Sequence, residues 1–170
     1  MEEIINKVAQ SGLITIDLEK YLPNANDVVG FDLRGHLFME LILKEKDFRE
    51  KLKTIDWEQY TGKHVAVFCS TDAIIPLWAY MLVTSYLQPV ASSVIFGSIE
   101  EVSNDILLRN LNAMNINELQ GARVVIKGCG DKQIPAAAYV EISRMLRPVV
   151  QSMMYGEACS TVPVYKAKKI

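Results

Sequence analysis

The chain has 170 residues, of which 50% are hydrophobic and 22% are charged, and its net charge is −2. This composition is typical of a single globular domain, and the weak negative charge excludes the strong basic surface of a nucleic-acid-binding protein. The longest apolar run, residues 73–83, contains Pro76 and is too short to span a bilayer, so we expect no membrane segment. Three cysteines without the spacing of a disulfide framework favour a reducing compartment, and we expect a cytoplasmic protein.

The N-terminal part of the chain contains a short predicted amphipathic helix over residues 2–10, then one predicted strand and a second predicted helix. Residues 13–18 alternate and are rich in β-branched side chains, which predicts a strand. A turn-rich connector follows, and the spacing of the apolar residues then predicts a helix over residues 30–43.

The rest of the chain is organised around a duplicated stretch. Residues 62–97 can be laid on residues 121–156 without gaps, with about a dozen identities, far more than chance would give. The identical positions in the first copy are Gly62, Val65, Asp72, Ile75, Pro76, Ala79, Tyr80, Leu87, Pro89, Val90, Ser93 and Gly97. An internal duplication is therefore the interpretation.

Each copy has the pattern helix, strand, helix, strand. The capping-box patterns Asp47-x-x-Glu50 and Ser98-x-x-Glu101 predict the first helix of each copy. Continuous apolar runs then predict buried strands at residues 65–68 and 124–126. The second helices are bracketed by prolines, with Pro76 and Pro135 in their first turns and Pro89 and Pro148 at their ends. The second strands are predicted at residues 94–96 and 153–155.

A strand–helix–strand crossover within one sheet makes its strands parallel. We therefore expect a three-layer α/β fold with a mainly parallel sheet, built from two tandem α-β-α-β repeats with pseudo-two-fold symmetry. The predicted single domain comprises an N-terminal extension (1–43), a first repeat (44–97), a second repeat (98–156) and a C-terminal tail (157–170). The helix that begins at Pro76 is apolar nearly all round, which favours burial in the core or in a homo-oligomer interface.

The three cysteines all follow predicted parallel strands. Cys69 and Cys129 follow the first strands of the two repeats, and Cys159 follows the last. Ligands collect at the carboxyl ends of such strands, so we expect the three sulfur atoms at one edge of the sheet. Three thiolates with a carboxylate, Glu157 first and Asp72 or Asp131 as alternatives, would hold zinc or an iron–sulfur cluster. The alternative is that each cysteine packs as a small buried apolar residue.

The loops before the second helices are also candidate sites for a small anionic ligand. Gly128 and Gly130 lie in one of them, and helix N-termini favour anions. Asp72 and Asp131 would contribute to binding there, or would only cap the helices that follow them. The glycine-rich run lacks the full fingerprint of a dinucleotide or phosphate loop, and no serine nucleophile motif is present.

Three segments resemble a known family. Residues 41–50, 76–81 and 154–163 are similar to the bacterial domain-of-unknown-function family numbered 2480, and the likeness covers nearly the whole chain. The family has no assigned activity, so the resemblance implies no mechanism. Genes of this family often lie near iron–sulfur assembly genes, so the resemblance implies an accessory role in iron–sulfur metabolism, with iron–sulfur assembly proteins as partners.

Three functions follow as hypotheses. The first is a protein that binds a transition metal or an iron–sulfur species through Cys69, Cys129 and Cys159, with Glu157 or an aspartate assisting. The second is an enzyme that binds a small anionic substrate in the cleft between the repeats, with a cysteine or Asp72 and Asp131 as the reactive groups. The third is an oligomeric interaction module, based on the apolar helix at Pro76.

Overall fold

The computed structural model describes residues 12–128, 130–157 and 160–168, and the chain divides into two compact units. Unit 1 consists of residues 1–22 and 106–170, and unit 2 consists of residues 23–105. The predicted α/β class and the mainly parallel pairing of the strands are confirmed. The strands form two sheets, one in each unit, where the sequence predicts a single sheet. The helix predicted over residues 2–10 lies outside the described residues.

The described residues form seven strands and four α-helices. The strands are β1 (Leu13–Ile16), β2 (Val28–Asp32), β3 (His64–Phe68), β4 (Ser93–Phe96), β5 (Arg123–Lys127), β6 (Ser152–Glu157) and β7 (Ser160–Lys166). The helices are α1 (Glu45–Lys53), α2 (Leu77–Leu87), α3 (Ile99–Asn112) and α4 (Ala136–Leu146). Short 3-10 turns at Leu18–Tyr21 and Leu33–His36 follow β1 and β2 directly.

The sheet of unit 1 has the order β1-β5-β6-β7. The first three strands are parallel, and β7 pairs antiparallel with β6. Helix α4 connects β5 with β6, which a parallel pair requires. Its buried residues Ala138, Ile142 and Leu146 pack with Val124 and Ile126 of β5 in one apolar core.

The sheet of unit 2 has the order β2-β3-β4, and both pairs are parallel. Helix α2 connects β3 with β4 and buries Ala79, Val83 and Leu87. These residues form a second core with Val65 and Val67 of β3.

The strand register places two aspartates at matching positions. In unit 2, Phe31 of β2 pairs with Val67, and in unit 1, Ile16 of β1 pairs with Ile126. Val67 and Ile126 occupy the same column when the two duplicated stretches are overlaid. The next residues, Asp32 and Asp17, therefore lie at equivalent places, beside the carboxyl ends of β3 and β5.

The helix predicted over residues 30–43 is wrong. Residues 28–32 form β2, and the chain then turns at Met39 and Glu40, which have positive φ angles of 50° and 59°. The apolar spacing that resembles a helix comes from this tight turn, across which Phe38 pairs with Ile42. Gly30 of β2 permits close packing against Phe68 of β3, because a Cβ atom at Gly30 would lie 3.0 Å from the Phe68 ring.

The predicted helix boundaries are confirmed in part. Ser98 and Glu101 form a reciprocal capping box: the Glu101 amide donates to Ser98 Oγ, and the Ser98 amide donates to Glu101 Oε2 at 2.7 Å. The capping box predicted at Asp47 is wrong, because α1 begins earlier, with Lys44 as its N-cap. Helices α2 and α4 end just before the Gln88-Pro89 and Arg147-Pro148 pairs, as the prolines predict.

Candidate functional site

A cavity of about 350 Å³ opens at the carboxyl ends of the parallel strands of unit 1. Its volume lies within the range of small-molecule sites in proteins, roughly 300–1,000 Å³. The residues that line it include Asp17, Glu19, Lys127, Lys132, Tyr139 and Tyr155. They come from the ends of β1, β5 and β6, from the segment that leads into α4 and from the first turn of α4. The carboxyl ends of the strands are where open parallel sheets bind their ligands.

One wall of the cavity is an ion pair between neighbouring strand ends. Lys127 Nζ donates to Asp17 Oδ2 at 3.1 Å, and the Glu19 amide donates to Asp17 Oδ1, also at 3.1 Å. Partial burial of Asp17 works to raise the pKa of its carboxyl group, but the hydrogen bonds from Lys127 and Glu19 outweigh it and lower this pKa. The hydrogen bond to Asp17 raises the pKa of Lys127. Both groups are therefore charged at neutral pH.

The Glu19 carboxylate is bound by the glycine-containing loop of residues 128–132. Glu19 Oε1 accepts a hydrogen bond of 3.0 Å from the Lys132 amide. A Cβ atom at Gly130 would overlap the same carboxylate, so glycine is needed there for the close approach. An amide of this loop that could bind an external anion thus binds a carboxylate of the protein itself. An external anion would instead be held by lysine side chains.

Two tyrosines form the opposite wall. The rings of Tyr139 and Tyr155 meet edge to face, with centroids 5.7 Å apart. The Tyr155 hydroxyl donates to the Gly128 carbonyl oxygen at 3.3 Å, and a Cβ atom at Gly128 would lie 2.7 Å from Tyr155 Cζ. The absence of a side chain at Gly128 therefore sets the position of the Tyr155 ring.

The equivalent position in unit 2 has different chemistry. Asp32 Oδ2 accepts a hydrogen bond of 2.5 Å from Ser70 Oγ, and Asp32 Oδ1 accepts bonds from the amides of Ser70 and Arg34 at 3.0 and 2.9 Å. Partial burial of Asp32 opposes these bonds, which nevertheless lower the pKa of its carboxyl group. Asp32 is thus held by a serine and backbone amides, whereas Asp17 is held by a lysine.

The predicted cysteine site is described only in part. Cys69 follows β3 in unit 2 and is half-buried. Cys129 and Cys159 lie outside the described residues, so their predicted role is not tested. The strands before the cysteines belong to two different sheets, because β3 lies in unit 2 and β5 and β6 lie in unit 1. No cluster of three potential metal ligands is found among the described residues.

The other predicted site residues are also divided between the two units. Gly128 and Gly130 line the cavity of unit 1, whereas Asp72 is an exposed residue of unit 2. Asp131 is exposed in the loop between Gly130 and Lys132. The capping role considered for the two aspartates is wrong, because Pro76 and Pro135 are the N-caps of α2 and α4.

Glu157 is the last residue of β6 and therefore lies at the carboxyl edge of the parallel strands of unit 1. Its Oε1 atom is buried and has no hydrogen-bond partner among the described residues. The carboxylate is close enough to Lys127 to favour the charged form of that ammonium group. A buried carboxylate oxygen without a partner is costly, which makes Glu157 a candidate ligand.

Sequence reasoning missed the charged and aromatic lining of the cavity. Asp17 and Lys127 are 110 positions apart, so no local pattern joins them. A signal was nevertheless present, because the Asp-Leu pair that follows β1 (Asp17-Leu18) returns at the end of β2 (Asp32-Leu33). This shared pattern identifies the two aspartates as equivalent positions beside β5 and β3.

Together, these features define an α/β protein with a charged cavity at the carboxyl edge of a parallel sheet. None of the described helices is long and apolar enough to cross a membrane. The chain belongs to the family described as protein of unknown function DUF2480, whose model matches residues 2–167. No curated protein and no solved structure matches the chain.

Proposed function

We propose that unit 1 binds a small carboxylate-bearing molecule in its cavity, and that a zwitterionic amino acid is the simplest molecule of the right chemistry. The observation that carries this proposal is the distribution of charge in the lining. Lys127 is paired with Asp17, whereas the side chain of Lys132 forms no ion pair with any carboxylate in the described part of the chain. The Lys132 ammonium group is therefore available to a ligand carboxylate.

The Glu19 carboxylate of the lining restricts the ligand further. Asp17 is neutralised by Lys127, whereas the Glu19 carboxylate forms no ion pair in the described part of the chain. Glu19 would repel a ligand with several negative charges, such as a nucleotide or a bisphosphate, and would attract an ammonium group. A molecule with one carboxylate and one ammonium group matches the lining, because it can face Lys132 and Glu19 at the same time.

The tyrosines supply the apolar part of the recognition. Their T-shaped pair presents ring surface to the cavity, while the Tyr155 hydroxyl is directed to the Gly128 carbonyl. Aromatic walls with a few polar groups are typical of small-molecule sites. The site thus favours an apolar or aromatic side chain on the ligand.

A thermal-shift screen tests this proposal. The full chain is screened against the proteinogenic amino acids, simple monocarboxylates and phosphorylated metabolites, and a ligand that binds only the folded state raises the melting temperature. We expect stabilisation by at least one amino acid and its loss in Lys132→Met. The control is Lys168→Met, which changes an exposed lysine that does not line the cavity. Stabilisation by phosphorylated metabolites alone, or equal stabilisation of both variants, contradicts the proposal.

A metal site is the second candidate, and the buried oxygen of Glu157 favours it. Cys129 lies between Gly128 and Gly130, and Cys159 lies between Glu157 and Ser160, which pair across β6 and β7. Gly128 directly follows β5, Glu157 ends the adjacent strand β6, and Ser160 begins β7 of the same sheet. Two thiolates next to these strand ends, with the Glu157 carboxylate, would suit zinc or an iron–sulfur species. An accessory role in iron–sulfur metabolism, with iron–sulfur assembly proteins as partners, would follow from such a site.

Metal analysis separates the contributions of the cysteines. The protein is purified without oxygen, and zinc and iron are measured for the wild type and for single Cys→Ser variants. We expect metal to be lost in Cys129→Ser and Cys159→Ser, and in Glu157→Gln to a smaller extent. Cys69→Ser is the informative comparison, because Cys69 belongs to the other unit. Equal metal content in the wild type and all variants would end this candidate.

A further inference from the structure

Unit 2 has an open sheet edge at the place where unit 1 carries an additional strand. In unit 1, β7 covers the outer edge of β6, with Met153 paired to Tyr165 and Tyr155 paired to Val162. The counterpart of β6 in unit 2 is β4, and no strand of the described chain pairs with its outer edge. The duplicated strand is thus covered in one unit and uncovered in the other.

The backbone of β4 is oriented for an additional strand. The amides of Ser93 and Gly97 donate to the carbonyl oxygens of Lys63 and Val67, towards the inner neighbour β3. Successive amides of a strand point to opposite sides, so those of Val94 and Phe96 point to the outer edge. An edge of this kind is a template for pairing with another chain.

The side chains around this edge are apolar and exposed. Phe96 is 73% exposed at the end of β4, and its ring contacts Tyr80 of α2 edge to face, with centroids 5.4 Å apart. Leu77 and Met81 are 78% and 72% exposed and lie three residues before and one residue after Tyr80 on α2. We call Leu77, Met81 and Phe96, with the outer edge of β4, the β4 edge surface.

A comparison with unit 1 shows how unusual this surface is. Neither β4 nor α2 contains a charged residue, whereas α4, the counterpart of α2, carries Glu141 and Arg144. The apolar helix and the uncovered strand therefore occur in the same unit. A contiguous exposed apolar surface of this kind indicates an interface.

We propose that a second copy of this chain covers the β4 edge surface, with its own β4 antiparallel to the first. The way β7 covers β6 shows that an antiparallel strand fits this edge of the repeat. Two copies of one strand can pair antiparallel about a two-fold axis, which gives a closed, self-complementary contact. Because β4 and α2 are uncharged, this pairing places no like charges opposite each other. Leu77, Met81 and Phe96 of the two copies then lie at the contact along the continuous sheet.

Sedimentation equilibrium of the full chain over a range of concentrations tests this proposal. We expect a monomer–dimer equilibrium whose dissociation constant rises by about tenfold or more in Phe96→Lys and in Met81→Lys, since both put a charge at the centre of the interface. Val140→Lys and Val162→Lys are the controls. Val140 is the counterpart of Met81 on α4, Val162 lies on β7, and both are exposed, so neither should alter the dimer.

Amide hydrogen exchange provides a second readout, which does not depend on substitutions. Exchange at Val94 and Phe96 should slow at concentrations where the dimer forms and become fast on dilution, whereas exchange at Ser93 and Gly97 should not follow dilution. A monomer at every concentration up to the solubility limit overturns the proposal. So does a dimer that Phe96→Lys leaves intact, or one that is lost in Val140→Lys or Val162→Lys.

Discussion

Asp17 and Lys127 form an ion pair at the carboxyl ends of two neighbouring parallel strands, with Asp17 Oδ2 and Lys127 Nζ 3.1 Å apart. The pair joins the residue that follows β1 to the end of β5, an inner strand of the sheet of unit 1. Its side chains are only 22% and 30% exposed. The contact therefore both fixes the strand end and supplies fixed charge to the wall of the cavity.

This pair predicts a particular pH dependence of stability. The pKa of Asp17 is lower in the folded protein than its ordinary value of 3.8, so its contribution is fully present above that value and is lost as the pH falls through the folded pKa. The pKa of Lys127 is raised above 10.5, so its contribution is present below that value and is lost as the pH rises through the folded pKa. Urea unfolding of Asp17→Asn should show less loss of stability below pH 4 than the wild type. The exposed Asp72→Asn is the control, and an unchanged acid slope in Asp17→Asn contradicts the assignment.

Gly128 is predicted to be necessary for the shape of the cavity. A Cβ atom in Gly128→Ala would meet the Tyr155 ring, and the ring would have to move. We expect loss of the ligand-induced thermal shift, because the displaced ring changes the wall of the cavity. The unfolding free energy should change by less than about 0.5 kcal/mol, because the Tyr155 ring is 42% exposed and can move aside. Gly35→Ala is the matched control, since a Cβ atom at Gly35 has no heavy atom within 4 Å. If Gly128→Ala binds the ligand like the wild type, the described wall is incorrect.

The core of unit 1 makes α4 sensitive to truncation on one side only. Ile142 is fully buried, whereas Val140 on the same helix is 69% exposed. We expect Ile142→Ala to lower the unfolding free energy by about 2–5 kcal/mol, because it leaves a cavity in the core. Val140→Ala should change it by less than about 0.5 kcal/mol. Chemical denaturation of both variants measures the difference, and similar losses would contradict the orientation of α4.

The capping box of α3 offers a test of local structure. Ser98→Ala removes the acceptor of the Glu101 amide and should lower the unfolding free energy by about 1 kcal/mol. Ser103→Ala in the same helix removes only a bond to the carbonyl oxygen of Ile99, four residues earlier. Since alanine is the better helix former, that control should be neutral or slightly stabilising. The ordering of the two midpoints in a denaturant titration decides the prediction.

The elements of the duplicated stretches could be predicted because their signals are local. Apolar runs predict β3 and β5, and prolines predict the ends of α2 and α4. Each of these signals concerns only the conformation of residues close to it in sequence. The division of the strands into two sheets was not predictable in this way. It depends on β1 joining the sheet of β5 and on β2 joining that of β3, and both are pairings of residues distant in sequence.

The site was predictable to a smaller extent than the elements. The carboxyl-edge rule led to the loop that contains Gly128 and Gly130, which does line the cavity. It did not lead to Glu19, which binds the Lys132 amide from 113 positions away. The residues that decide which ligand fits are brought together only when the sheet forms. Their contacts therefore cannot be predicted from their spacing along the chain.

The most direct test of ligand binding in unit 1 is a two-dimensional amide NMR titration of the full chain with the proteinogenic amino acids. Binding in the cavity predicts saturable shifts at Gly128, Lys132 and Tyr155, with one dissociation constant for all three. The amide of Ser70, which holds the equivalent aspartate in unit 2, should stay unchanged. Shifts centred on Ser70, or no saturable shift around the cavity with any amino acid, would contradict the proposal.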